Sequence, residues 1–174
     1  MRLLFTMDRK DYDEHGPAYV RPSSRCIAIK NGRVAMVHSK KYHYYKFPGG
    51  GIEAGESREE AVIRETQEEA GLVVLPDSIQ AYGYVHRVQK NPPPAPGYLL
   101  QENYYYLCDV EEAVTAQTLD AYEEEEGFAL EWVEPDTAIQ VNRTLDHGPK
   151  DPWMLEREAQ VLELLKQEGY FCNH

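Results

Sequence analysis

The chain has 174 residues, 42% of them hydrophobic and 11% aromatic, which is enough apolar material for one domain with a substantial core. Its 30 Asp and Glu against 18 Lys and Arg give a net charge of -12, which excludes broad attraction to polymeric nucleic acid or to an anionic membrane surface. A small phosphorylated ligand stays compatible, because a bound divalent cation inverts the field that a phosphate meets.

Residues 1–22 open with an apolar run, MRLLFTM, that soon meets Asp8, Arg9 and Lys10. The run is too short for a signal h-region or a membrane span, and the expected location, by elimination, is the cytoplasm. Gly16, Pro17 and Pro22 then break any regular pattern, so this segment reads as an irregular arm or a short edge strand. The runs 25–30 (RCIAIK) and 33–38 (RVAMVH), separated by Asn31 and Gly32, are the strongest short-range hairpin signal in the chain. An aromatic patch at 42–47 (YHYYKF) stops at Pro48 and the glycines Gly49, Gly50 and Gly51.

After the glycines, Ser57 as N-cap with Glu60 in the capping-box position predicts a helix from about 58 to 70, closed by Gly71. Val62, Ile63, Thr66 and Ala70 give it a packing flank. Glu65, Glu68 and Glu69 share a neighbouring arc of about 100° on a helix. Carboxylates crowded within one turn repel each other, and beside a glycine turn they point to a hard divalent cation held by oxygen ligands.

Residues 79–88 and 98–109 read as strands, joined by a loop holding Pro92, Pro93, Pro94, Pro96 and Gly97 that serves as a rigid connector or a substrate-facing lid. The run Glu123 to Glu126 precedes an alternating segment with Phe128, Leu130, Trp132 and Val133, read as a half-buried strand. A short helix opens at Pro135 and Asp136. The segment 153–166 places Leu155, Ala159, Leu162 and Leu165 on one face, the pattern of a helix docked on the body. No repeat and no linker divides residues 1–174. Cys26, Cys108 and Cys172 stand apart without a CxxC pair, so they read as free thiols.

The segment Gly50 to Leu72, GGIEAGESREEAVIRETQEEAGL with its first glycine, resembles a complete Nudix box: Gly50, Glu56, Arg64, Glu65, Glu68, Glu69 and Gly71 all fall at the family's spacing. The approach Phe47-Pro48-Gly49-Gly50 and the strand around Trp132 are similar to the family too. Lys46 stands where an aromatic is common, and Thr66 where an aliphatic is usual; neither is a proposed ligand. The resemblance implies an α/β/α sandwich with a mixed β-sheet, the box helix on one face and the C-terminal helix helping to cover the other. It implies hydrolysis, with Mg²⁺ or Mn²⁺, of the pyrophosphate bond of a nucleoside diphosphate linked to another moiety. On size, a modified nucleoside triphosphate is preferred over a dinucleotide or a nucleotide sugar.

By the same resemblance, Glu65, Glu68 and Glu69 are the principal metal ligands, with the Gly49 carbonyl as a further oxygen and Glu56 as an outer one. Arg64 orients the cluster and pairs with Glu68 at i+4. The general base is a box glutamate or a later carboxylate; Glu126 is the first choice and Glu125 the second. Arg25, Lys46 and Arg87, with Arg21, are candidates to hold a distal phosphate. His38, His43 and His86 show no metal-ligand spacing and read as surface or pocket residues. The strand tyrosines are explained by core alternation, and one near a cleft could instead stack a nucleobase. The family suggests a homodimer. The rival class is a Nudix-fold nucleotide-binding or sensor module without turnover, and an acidic structural protein is a third reading.

Overall fold

A computed structural model of the chain describes residues 1–172. Its strands are β1 (Leu3–Asp8), β2 (Ala18–Val20), β3 (Ser23–Ile27), β4 (Ile29–Lys30), β5 (Arg33–Ser39), β6 (Tyr44–Lys46), β7 (Gly49–Gly51), β8 (Gln80–Lys90), β9 (Tyr98–Leu107) and β10 (Phe128–Val133). The helices are α1 (Arg58–Ala70), α2 (Ala121–Glu126), α3 (Pro135–Thr144) and α4 (Pro152–Gln167).

The strands form two sheets. The larger runs β1-β8-β9-β3-β7, with β2 also paired to β9, and mixes parallel pairs (β1 with β8, β3 with β9) with antiparallel ones (β8 with β9, β3 with β7). The smaller runs β10-β5-β4, with β6 also on β5, and is antiparallel throughout. Asn31 and Gly32 have φ of 51° and 72°, the left-handed pair that a two-residue hairpin turn demands, and they join β4 to β5. The run 25–30 is not one strand, however. β3 belongs to the larger sheet and β4 to the smaller, with Ala28 as the crossing residue, its carbonyl accepting from the Ala35 amide at 2.9 Å. All of β3 is buried, so no polar alternation marked the change of sheet. Residues 3–8 form an edge strand rather than an irregular arm, held parallel to β8 with Leu3 opposite Tyr84.

Period-2 alternation sorts the core into two layers. Cys26, Ala35 and Val37 pack with Val62, Ala70 and Leu72 of the α1 side. The residues between them in sequence, Ile27, Val34 and Met36, pack with Val161, Leu162 and Leu165 of α4. Helices therefore cover both faces of the sheets, the mixed α/β/α arrangement expected. α1 begins with a complete capping box between Ser57 and Glu60 and ends at Gly71, whose φ is 69°. A Cβ at Gly71 would lie 2.2 Å from the Thr115 carbonyl oxygen, so glycine serves both the turn and the close passage of residues 114–115. No helix among the described residues is long and apolar enough to cross a membrane.

Candidate active site

Phe47 is fully buried edge-on to Tyr105 at 5.5 Å and anchors the chain before the glycine turn. β7 then lies against β3, with Gly49 opposite Arg25 and Gly50 opposite Ser24. Close approach fixes the residue type at both positions. A Cβ on Gly49 would sit 2.3 Å from the Ser24 carbonyl oxygen, and one on Gly50 would sit 2.6 Å from the Glu65 carboxylate. Gly50→Ala therefore displaces Glu65 while α1 keeps its caps. The expected result is weakened Mn²⁺ binding with a nearly unchanged melting temperature; an unfolded variant would show instead that the contact is structural.

Arg64 organises the acidic cluster. Its Nε and Nη2 donate to the two Glu56 oxygens at 2.7 and 2.9 Å, the forked pairing that a guanidinium favours. Its Nη1 donates to Glu65 Oε1 at 2.9 Å and to Glu68 Oε2 at 3.1 Å, and Nη2 also reaches the Gly51 carbonyl at 3.1 Å. The expected i+4 partner is there, but the tightest partner is Glu56, eight residues back, which closes the loop between turn and helix. The Arg64 side chain holds the Glu56 carboxyl below the ordinary carboxylate range. Glu68 is pushed up by burial and by its neighbour Glu65.

Glu69 is buried, and its burial pushes the carboxyl up to about 7 against the pull of Lys46. Lys46 Nζ lies 2.9 Å from Glu69 Oε1 and 3.4 Å from the Gly49 carbonyl oxygen, so its ammonium spans two of the oxygens assigned by the motif to a metal. Glu69 Oε2 is buried without a hydrogen-bond partner. An unpartnered buried carboxylate oxygen beside Glu65 and a backbone carbonyl is a hard-oxygen donor set, the chemistry that suits Mg²⁺ or Mn²⁺. The chemistry of these donors thus fits such an ion; among the described residues no group of three or more acidic, histidine or cysteine side chains is spaced to hold one.

Gly49, Glu65, Glu69, Lys46, Arg25 and Arg87 line one cleft of about 390 Å³. Glu56, Arg64 and Glu68 stand behind its acidic wall, joined to it through the Arg64 network. Glu126 is not brought to this cleft. It is buried, accepting from Ser39 Oγ at 3.0 Å and Tyr44 Oη at 2.8 Å, and paired with Lys150 at 2.5 Å. The reason is geometric: the glutamate run lies on the short six-residue α2, which Gly127 ends at φ 69°, so its members face different ways. Glu125 points outward and pairs with Lys41 at 2.5 Å. Glu123 lines the cleft instead, with its Oε1 accepting from the Asp120 amide at 2.8 Å and its carboxyl raised by burial.

Sequence reasoning also missed Arg157 of α4 and the exposed rings of Tyr19 and Tyr122 at the same cleft. Glu158 falls inside the arc of Leu155, Ala159, Leu162 and Leu165 on α4 and Arg157 about 80° beyond it, and both are buried; a charged residue on that apolar face was the signal the sequence offered.

A family model described as the NUDIX domain matches residues 20–156, more than half of the chain. The chain belongs to this family. Curated relatives of this Nudix chain include an RNA pyrophosphohydrolase of Shewanella piezotolerans, 41% identical over 54 residues, 31% of this chain and 30% of that protein. An uncharacterised Nudix hydrolase of Bacillus subtilis is 30% identical over 57 residues, 33% of this chain and 36% of that one. The matches thus span about a third of the length of each relative. Among solved structures, a MutT Nudix hydrolase from Burkholderia pseudomallei superposes with a TM-score of 0.57 at 18% identity, over 83% of this chain and 97% of that chain. One from Nitrosomonas europaea gives 0.56 at 18% identity, over 79% and 87%. At such identities the likeness is one of fold.

Proposed function

We propose that this Nudix chain hydrolyses the pyrophosphate bond of a nucleoside diphosphate linked to another moiety. The observation that carries the reading is a single cleft with hard-oxygen donors on one wall and arginines on another. Glu65, Glu68, Glu69 and the Gly49 carbonyl would hold Mg²⁺ or Mn²⁺, with Glu56 in the outer layer. When bound, the ion supplies charge neutralisation and a water acidic enough to attack phosphorus near neutral pH.

The chain's own residues do the remainder. Arg64 orients Glu56, Glu65 and Glu68 through four hydrogen bonds and holds the Gly51 carbonyl with a fifth. Arg25, Lys46 and Arg87 would take substrate oxygens, Lys46 being free for that task if a bound cation replaced it at Glu69. Glu123, buried in the cleft with one oxygen held by the Asp120 amide, is the acceptor for the proton of the attacking water. Tyr19 and Tyr122 present exposed rings on which a nucleobase can stack. The homodimer rests on family analogy alone, and light scattering checks it.

Release of phosphate or nucleotide from a panel of nucleoside diphosphate derivatives, with and without Mg²⁺, tests the reading. Positioning partners of metal ligands alone account for roughly 10- to 100-fold in activity, so Glu68→Gln should cost at least that. A module that only binds nucleotide would retain the panel and release nothing.

A further inference from the structure

The end of the cleft away from the glutamates carries more positive charge than the protein neutralises. Arg25 of β3 stands in register with Tyr105 of β9, and Arg87 of β8 with Gln101, which places both guanidiniums on the sheet face below α4. Arg157 reaches down from α4 to the same face, donating to Asn103 Oδ1 at 2.9 Å and Gln101 Oε1 at 3.4 Å. The three arginines are only 7%, 6% and 1% exposed.

Two carboxylates answer these three cations. Arg87 pairs with Asp151 at 2.6 Å and Arg157 with Glu158 at 3.3 Å, while Arg25 is left with a loose 3.9 Å approach to that same Glu158. Arg25 Nε and Nη1 and Arg157 Nε are buried without any hydrogen-bond partner. Unpartnered buried guanidinium donors are expensive to keep, and a bound anion is a group that completes them. Burial, reinforced by repulsion from Arg157, draws the Arg87 guanidinium down to about 10, a sign of uncompensated positive potential.

We propose that this arginine end binds a terminal, doubly charged phosphate of the substrate, so that the enzyme selects molecules ending in a free phosphate over those esterified at both ends. The proposal rests on the hydrolase reading and sharpens its substrate class. Arg157 lines this end from α4 beside Arg25 and Arg87, so three guanidiniums converge on the group that enters. A terminal phosphate, attached through a single bridging oxygen, brings close to two charges and three acceptor oxygens, enough to satisfy several forked donors, whereas each phosphate of a diphosphate esterified at both ends carries one charge, two free oxygens and a substituent to place. Nucleoside triphosphates fit this description; nucleotide sugars and dinucleotides do not. Asp151, which holds Arg87 and Gln89 at 2.6 and 2.9 Å, is a positioning residue for this end.

Calorimetric titration of inorganic pyrophosphate into the full chain in EDTA tests the site without metal or turnover. The wild type should bind, Arg25→Gln and Arg87→Gln should each weaken binding by about tenfold or more, and Arg33→Gln, in a different cavity, should leave it unchanged. With Mg²⁺, the ratio of kcat/KM for ATP over ADP-ribose should fall in Arg87→Lys, which keeps the charge and loses the fork. No binding by the wild type, or binding indifferent to both cleft arginines, overturns the proposal. If both Gln variants fail to fold, the wild type decides: pyrophosphate must bind more tightly than ADP-ribose in EDTA, and equal or reversed affinities overturn it. Pyrophosphate binding without turnover of any nucleotide would remove the hydrolase reading and leave the anion site standing.

Discussion

Arg64→Ala should lower both Mn²⁺ affinity and product release by roughly 10- to 100-fold, the range found when ligand-orienting partners are removed from metal sites. One side chain pins Glu56, Glu65, Glu68 and the Gly51 carbonyl, so its loss frees one side of the acidic wall at once. It also leaves several carboxylates repelling each other without a counter-charge, which raises their affinity for any cation while loosening their geometry. Orientation and charge thus pull in opposite directions, and Arg64→Lys separates them. Lysine keeps the charge but not the fork that holds both Glu56 oxygens, so it should restore little of the turnover. Manganese titration followed by electron paramagnetic resonance reads affinity, and product release reads turnover. Wild-type values of both in the alanine variant would show that the network is only a surface ion pair.

Glu158→Gln should destabilise the fold by about 3–5 kcal/mol, the cost of leaving a buried counter-ion unpaired. Glu158 is fully buried, its Oε1 near Arg157 and the Phe47 amide at 3.3 Å each and its Oε2 accepting from Tyr105 Oη at 2.7 Å. It therefore ties α4 to the approach of the glycine turn and to β9. Burial pushes the carboxyl up, but the Arg157 and Arg25 guanidiniums and the Tyr105 hydroxyl outweigh it and hold it below its ordinary value. The sign follows from that depression. The stabilisation is fully present above the unfolded-state value near about pH 4.3 and is lost as pH falls through the lower folded-state value. Urea unfolding of wild type and variant should give a constant gap between pH 7 and pH 5, narrowing below about pH 4. A gap that stays constant or widens in acid would sink this account.

Local pattern made much of the molecule legible. The capping box at Ser57, the left-handed stop at Gly71 and the Asn31-Gly32 turn are each set by residues within a few positions of one another, and each stands as expected. The acidic wall was readable for the same reason, since one helix turn and one glycine turn carry most of it. The arginine end was not. Arg25, Arg87 and Arg157 come from β3, β8 and α4, and only the register between strands brings them together. The glutamate run failed differently. Four identical side chains in sequence carry no mark of facing, and α2 sends Glu123 into the cleft while Glu126 turns to Ser39, Tyr44 and Lys150. The change of sheet at Ala28 was hidden because both faces of β3 are buried.

The parallel pairing of β1 with β8 has a consequence for the order of folding. β1 is synthesised well before the strand it must lie beside, and Leu3 meets Tyr84 only after the box helix and its flanking strands have been made. Closing so long a loop is entropically slow, so this edge should lock after the rest of the larger sheet. Interactions absent from the transition state govern unfolding rather than folding rates. Met7, buried in the core from β1, is then a position where truncation shortens the lifetime of the native state while leaving its speed of formation nearly intact.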